Sequence, residues 1–104
     1  MEKTFDKKII YITGASAGIG YATAELFLKK GATVIITGRD KENLKNAEKQ
    51  LLKTSSNVIA HNVDVSNESQ IIHSLEDVYK SCGTIDGLVN NAPSIHTGKI
   101  IDLD

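Results

Sequence analysis

The chain has 104 residues, 40% of them hydrophobic and 24% charged, which fits one small folded unit and is too short for two. Twelve Lys+Arg against thirteen Asp+Glu leave a formal charge of −1, so there is no global field to recruit nucleic acid or an anionic membrane. Cys82 is the only cysteine, which excludes an intrachain disulfide framework and points to a reducing compartment. The first eight residues lack the apolar segment of a signal peptide, and no apolar run approaches the roughly 18 residues of a membrane span. The expectation is a cytoplasmic globular domain.

In chain order, Lys8–Thr13 is a β-branched and aromatic run ending at Gly14, the pattern of a buried strand. Ile19, Ala22, Leu26 and Phe27 then recur at helical spacing up to Lys30, and Gly31 ends that helix. Thr33–Thr37 is a second strand with a near-continuous apolar centre, expected of a strand covered on both faces. Asp40 is placed to cap a second helix, with Leu44, Ala47 and Leu51 on one side. Val58–Val63 is a third strand. Ser66 is placed to cap a third helix whose apolar side runs through Ile71/Ile72, Leu75, Val78/Tyr79 and Cys82, with Glu68 near its positive end. Gly83 closes it, and Ile85–Asn90 is a fourth strand. The alternation β-α-β-α-β-α-β demands parallel strands joined by right-handed crossovers. The fold class is therefore α/β: a doubly wound parallel sheet of about four strands with three helices.

The turn between the first strand and first helix, Thr13-Gly14-Ala15-Ser16-Ala17-Gly18-Ile19-Gly20, holds the chemistry. Gly14 suits a turn that needs positive φ. Gly18 lets a pyrophosphate approach the backbone, and Gly20 lets the helix sit close on the strand. The helix N-terminus offers free N–H groups and a positive dipole end to an anion, and Ser16 can add a hydroxyl donor. The spacing G-x-x-x-G-x-G is neither G-x-G-x-x-G nor a P-loop, which would need Gly-Lys-Ser/Thr. The competing role is a glycine-rich turn that binds nothing.

After the second strand, Thr37-Gly38-Arg39 stands where a carboxylate would hold the ribose 2′-hydroxyl of NAD; an arginine there accommodates the 2′-phosphate of NADP. Arg39 is the only arginine beside eleven lysines; its competing role is a solvated surface cation. Asp64-Val65, just past the third strand, can meet an adenine through the carboxylate and the Val65 N–H, although Asp64 competes with Ser66 to cap the third helix.

Together these residues resemble the short-chain dehydrogenase/reductase family, in family order over almost the whole chain. Thr13–Gly20 resembles its cofactor turn, Asp64-Val65 its adenine pair, and Asn90-Asn91-Ala92 its Asn-Asn-Ala-Gly, with Pro93 in place of the glycine. The resemblance implies a Rossmann-type domain over residues 1–104 with strand order 3-2-1-4. It implies a nicotinamide dinucleotide, NADP(H) rather than NAD(H), held by Gly14, Ser16, Gly18, Ile19, Gly20, Arg39, Asp64, Val65 and Asn90, the last against the adenosine ribose. The family's catalytic serine, tyrosine and lysine lie beyond the fourth strand. Here the residues four after Tyr11, Tyr21 and Tyr79 are Ala15, Glu25 and Gly83, so no Tyr-x-x-x-Lys occurs and no catalytic residue is assigned. The three tyrosines read as packing residues.

His61, His73 and His96 share no metal-ligand spacing with each other or with Cys82; His61 reads as a strand residue and His73 as a half-buried one. No metal is expected. A fourth strand without a partner presents an apolar edge at Leu88-Val89-Asn90, which predicts self-association through that edge or an uncovered sheet face. The functional expectation is the cofactor-binding portion of an NADP(H)-dependent oxidoreductase. The alternatives are a stand-alone nucleotide-binding module and an interaction domain that keeps only the fold.

Overall fold

The computed structural model describes residues 4–15 and 18–91; Ser16 and the segment 92–104, including Pro93, Ser94 and His96, lie outside the described residues. The elements are β1 (Ile9–Ile12), α1 (Gly18–Lys29), β2 (Thr33–Gly38), α2 (Lys41–Leu51), β3 (Val58–Asn62), α3 (Glu68–Cys82) and β4 (Gly87–Val89). All strand pairs are parallel and the order is β3-β2-β1-β4, the Rossmann arrangement. Strands β1 and β4 are shorter than the apolar runs that contain them. Lys8 and Thr13 lie outside β1, and β4 begins at Gly87, where the register pairs it with Ile10.

The period-2 alternation of the central strands divides the interior into two layers. Ile10, Ile12, Val34 and Ile36 face α1 and α2 and pack with Ala24, Leu28, Leu44, Ala47 and Leu51. Ile9, Tyr11 and Ile35 face the other way and pack with Ile71, Leu75 and Val78 of α3. Asp86 fastens the sheet's opening end: its carboxylate accepts from the Ile9 N–H at 2.8 Å, and its own N–H donates to the Ile9 carbonyl at 2.8 Å.

Two helix faces differ from the expected ones. In α1 the buried residues are Gly20, Ala24 and Leu28, whereas Ile19 is 77% and Leu26 48% exposed. Small residues face the sheet because the helix lies close to it. In α3, Ile71, Ser74, Leu75 and Val78 are buried, while Ile72, His73 and Tyr79 are exposed; Tyr79 is therefore not a packing residue, nor His73 a half-buried one. Asp40 caps α2 as expected, accepting from the Asn43 N–H at 3.0 Å. The cap of α3 is Asn67 rather than Ser66. The Asn67 side chain accepts from the Gln70 N–H at 3.2 Å, and Ser66 turns back to Asp64. Among the described residues, no helix is long and apolar enough to cross a membrane.

Candidate functional site

The carboxyl ends of β1, β2 and β3 lie together, as a parallel sheet requires, and bring the described sequence-predicted residues to one edge. Gly14 and Gly18 both have positive φ, at 66° and 64°, so each occupies a conformation that a side chain disfavours. Gly20 is constrained by space. A Cβ there would lie 2.4 Å from the Gly14 carbonyl oxygen and 2.7 Å from the Asn91 amide nitrogen. The turn is thus folded against the start of α1 with no room for a methyl group. Helix α1 begins at Gly18 and carries no acidic residue in its first turn, so its N–H groups and dipole meet no carboxylate of their own. Ile19 stands beside this turn with its side chain in solvent.

Thr13, 1% exposed, ties the turn to the end of β4. Its N–H donates to the Val89 carbonyl at 3.0 Å, and its hydroxyl accepts from the Asn91 N–H at 2.9 Å. The hydroxyl has two acceptors within reach for its proton, Asn90 Oδ1 at 3.3 Å and the Val89 carbonyl at 3.4 Å. The Asn91 amide reaches the Gly14 carbonyl at 3.4 Å, and the Ala15 N–H donates to the Thr37 carbonyl at 3.1 Å. Asn90, which is exposed, therefore sits beside the turn through Thr13.

Arg39 follows β2 and is exposed. Among the described residues the one contact within salt-bridge distance is His73 Nε2 to Asp77 Oδ2, at 3.7 Å, so Arg39 is in no ion pair. Asp64 accepts from the Ser66 hydroxyl at 2.6 Å and the Ser66 N–H at 3.0 Å. These bonds, the hydroxyl first, hold its carboxyl below the usual carboxylate range, and the positive charge of Arg39 adds a smaller push in the same direction. The Asp64 N–H donates to Gln70 Oε1 at 2.8 Å, which locks the Asp64-Val65 segment onto α3. Val65 is half-buried against the α3 layer. Of the expected site residues, Gly14, Gly18, Ile19, Gly20, Arg39, Asp64, Val65 and Asn90 are described; Ser16 lies outside the described residues.

A second polar cluster went unread in the sequence. The buried Tyr11 hydroxyl donates to Ser74 Oγ at 2.7 Å, and Ser74 Oγ lies 2.6 Å from His61 Nδ1. His61 opens on a groove of about 670 Å³ between β3 and α3, lined also by Asn67, Gln70 and His73. Burial lowers the His61 pKa against an opposing pull from Asp77 and raises that of Tyr11 against the Ser74 hydrogen bond. The Ser–His contact is not a nucleophile and its base. Ser74 is 3% exposed, and its oxygen is already the acceptor of a phenol proton. Among the described residues, no three His, Cys, Asp or Glu side chains cluster to hold a metal ion.

Comparison with known proteins agrees with this layout. The family model described as short chain dehydrogenase matches residues 8–104. The uncharacterized oxidoreductase YxbG of Bacillus subtilis is 38% identical over 87 residues, 84% of this chain and 32% of that protein. Among solved structures, L-sorbose reductase of Gluconobacter frateurii, complexed with NADPH and L-sorbose, superposes with TM-score 0.81 at 37% identity, covering 90% of this chain and 36% of the other. The 3-ketoacyl-(acyl-carrier-protein) reductase of Brucella melitensis, complexed with NADH, gives 0.77 at 32%, covering 86% and 35%. The chain spans about a third of the length of these proteins. With the matched model spanning 97 of the 104 residues (8–104), the chain belongs to the short chain dehydrogenase family.

Proposed function

We propose that residues 1–104 form the NADP(H)-binding portion of a short-chain dehydrogenase-type oxidoreductase. The observation that carries this reading is the turn itself: two positive-φ glycines and a third with no space for a Cβ, at the start of a helix with no acidic first turn. Such a turn fits a dinucleotide's pyrophosphate, with Gly14, Gly18 and Gly20 shaping the cradle and the Ser16 hydroxyl as a donor. Asn90 lies against the adenosine ribose, Asp64 and Val65 meet the adenine, and the exposed Ile19 side chain is covered by the bound dinucleotide. Arg39, free of any ion pair among the described residues, takes the 2′-phosphate and favours NADP(H) over NAD(H). The similar reductases bound to NADPH and to NADH support a nicotinamide cofactor of either kind. When bound, that cofactor supplies or accepts a hydride at an alcohol or carbonyl carbon.

The absence of a Tyr-x-x-x-Lys within these 104 residues favours binding without turnover by this chain alone. Hydride transfer belongs to the longer protein of the family pattern; a stand-alone binding module is the second reading. The β4 edge and the sheet face beside α3 are the surfaces for self-association, and the compartment is the cytoplasm. Titration with NADPH and NADH tests the cofactor reading: Arg39→Asp is expected to shift preference from NADP(H) towards NAD(H), and unchanged selectivity would remove Arg39 from the site. A carbonyl panel with NADPH separates the two readings, since steady turnover by the 104-residue chain would show catalysis without the Tyr/Lys pair.

A further inference from the structure

Arg39 extends from a two-residue connection between β2 and α2, and an exposed arginine on a short turn discriminates a phosphate only as well as its backbone is held. On the α2 side Asp40 holds it, in an extended conformation with φ −81° and ψ 108° and its carboxylate on the Asn43 N–H. On the β3 side the parallel register ends at the pair Gly38–Asn62, so no strand partner remains for Arg39. The Asn62 side chain replaces it. Its amide nitrogen donates to the Gly38 carbonyl at 2.8 Å and to the Arg39 carbonyl at 3.1 Å, and the Val63 N–H also reaches the Gly38 carbonyl at 3.1 Å. One primary amide thus bridges two successive carbonyls across the strand ends.

We propose that Asn62 is a positioning residue for cofactor discrimination: by clasping the carbonyls of Gly38 and Arg39 it fixes the backbone from which the Arg39 guanidinium meets the 2′-phosphate. This rests on the reading of Arg39 given above. The Asn62 side chain is exposed and lies outside both apolar layers, so the clasp acts on the geometry of the turn more than on the stability of the core. Its contribution belongs to the 2′-phosphate alone. NADH lacks that group and loses little when the clasp opens.

The test is the ratio of NADH to NADPH dissociation constants for the full chain, by fluorescence titration, in wild type, Asn62→Ala, Arg39→Ala and the double variant. Asn62→Ala is expected to lower the ratio about 3- to 10-fold, the size of one or two net hydrogen bonds, with NADH affinity held within about twofold. The double variant is expected to fall no further than Arg39→Ala, because the clasp works through Arg39. Asn62→Ser, which keeps one donor, is expected to fall between wild type and Asn62→Ala, and circular dichroism on each variant reads the fold separately. If Arg39→Ala collapses the ratio while Asn62→Ala leaves it unchanged, the Arg39 reading stands and the clasp proposal is overturned. Equal weakening of both cofactors by Asn62→Ala also overturns it, since that is the signature of a merely structural residue. A wild-type ratio near one that Arg39→Ala does not change removes the Arg39 reading and this proposal with it.

Discussion

The two faces of the sheet are built from the same strands by different rules. The fully buried part of the face under α1 and α2 is aliphatic, with Ile12, Val34, Ile36 and Leu51 all at 0% exposure and Phe5, Tyr21 and Phe27 packed at its margin. The face under α3 has comparable apolar residues but also a polar string, Tyr11–Ser74–His61, running from the middle of the sheet to an open groove. Burial of the first face depends on volume and not on protonation. The second face adds titratable groups whose hydrogen bonds must be satisfied, so it ties the stability of the domain to pH.

Leu51→Ala breaks the dry face where a void cannot be relieved by water, and the expected loss is about 2–5 kcal/mol of unfolding free energy. Urea titration measures it, and the loss is expected to be the same at pH 5 and pH 8. A pH-dependent loss would mean that the two faces are not separable.

Ser74→Ala does the corresponding damage on the wet face. It strands the Tyr11 hydroxyl, whose residue is 0% exposed, and costs about 1–3 kcal/mol. The pH behaviour follows from the directions of the shifts. Burial lowers the folded His61 pKa below its ordinary 6.5, with Asp77 opposing, so the unfolded chain binds a proton first. The contribution from neutral His61 is complete above about pH 6.5 and is lost as pH falls through the lowered folded value. For Tyr11 the sign reverses: its contribution is complete below pH 10 and is lost as pH rises through the raised folded value. His73 and Asp77 of α3 line the same groove, so His61→Gln is the variant that isolates the imidazole. It is expected to flatten the stability profile between pH 5 and pH 7, while Leu51→Ala keeps the wild-type slope. An unchanged slope in His61→Gln would assign the pH dependence elsewhere.

The same contrast explains what could be read before the structure. Strands β1 to β3 were legible because apolar runs such as Thr33–Thr37 have one physical meaning between Gly31 and Gly38; the crossover rule made them parallel, and the family resemblance supplied their order. The glycine turn was legible because backbone conformation and close approach leave a mark on residue type. The packed side of α1 was not. Of its buried residues Gly20, Ala24 and Leu28, the first two carry almost no hydrophobic signal, while Ile19 and Leu26 carry a strong one and face solvent. Close helix–sheet packing selects small residues, which inverts the usual rule that the largest side chains mark the core. Asn62 and the Tyr11–Ser74–His61 string were illegible for a different reason. Asn62 reaches partners 24 and 23 residues away, and the two links of the string span 63 and 13; only the parallel register and the placement of α3 bring them together.

The smallest expected effect tests the entry to α3, where the wet face meets the site edge. Ser66 has the residue type and position of a helix cap, but its hydroxyl serves Asp64, and Asn67 one residue later makes the capping bond to the Gln70 N–H. Asn67→Ala is therefore expected to cost about 1 kcal/mol by leaving a first-turn N–H without its side-chain acceptor. Ser66→Ala removes an exposed bond to a carboxylate that water can replace, so it is expected to cost less than Asn67→Ala at neutral pH. Its mark falls on Asp64, whose carboxyl is held acidic first by that hydroxyl; in Ser66→Ala the Asp64 titration followed by NMR is expected to move up towards the ordinary value of 3.8. Equal losses from the two variants, with Asp64 unmoved, would make Ser66 a cap after all. The reverse pattern ties the α3 entry to the charge state of Asp64, at the carboxyl edge of the sheet.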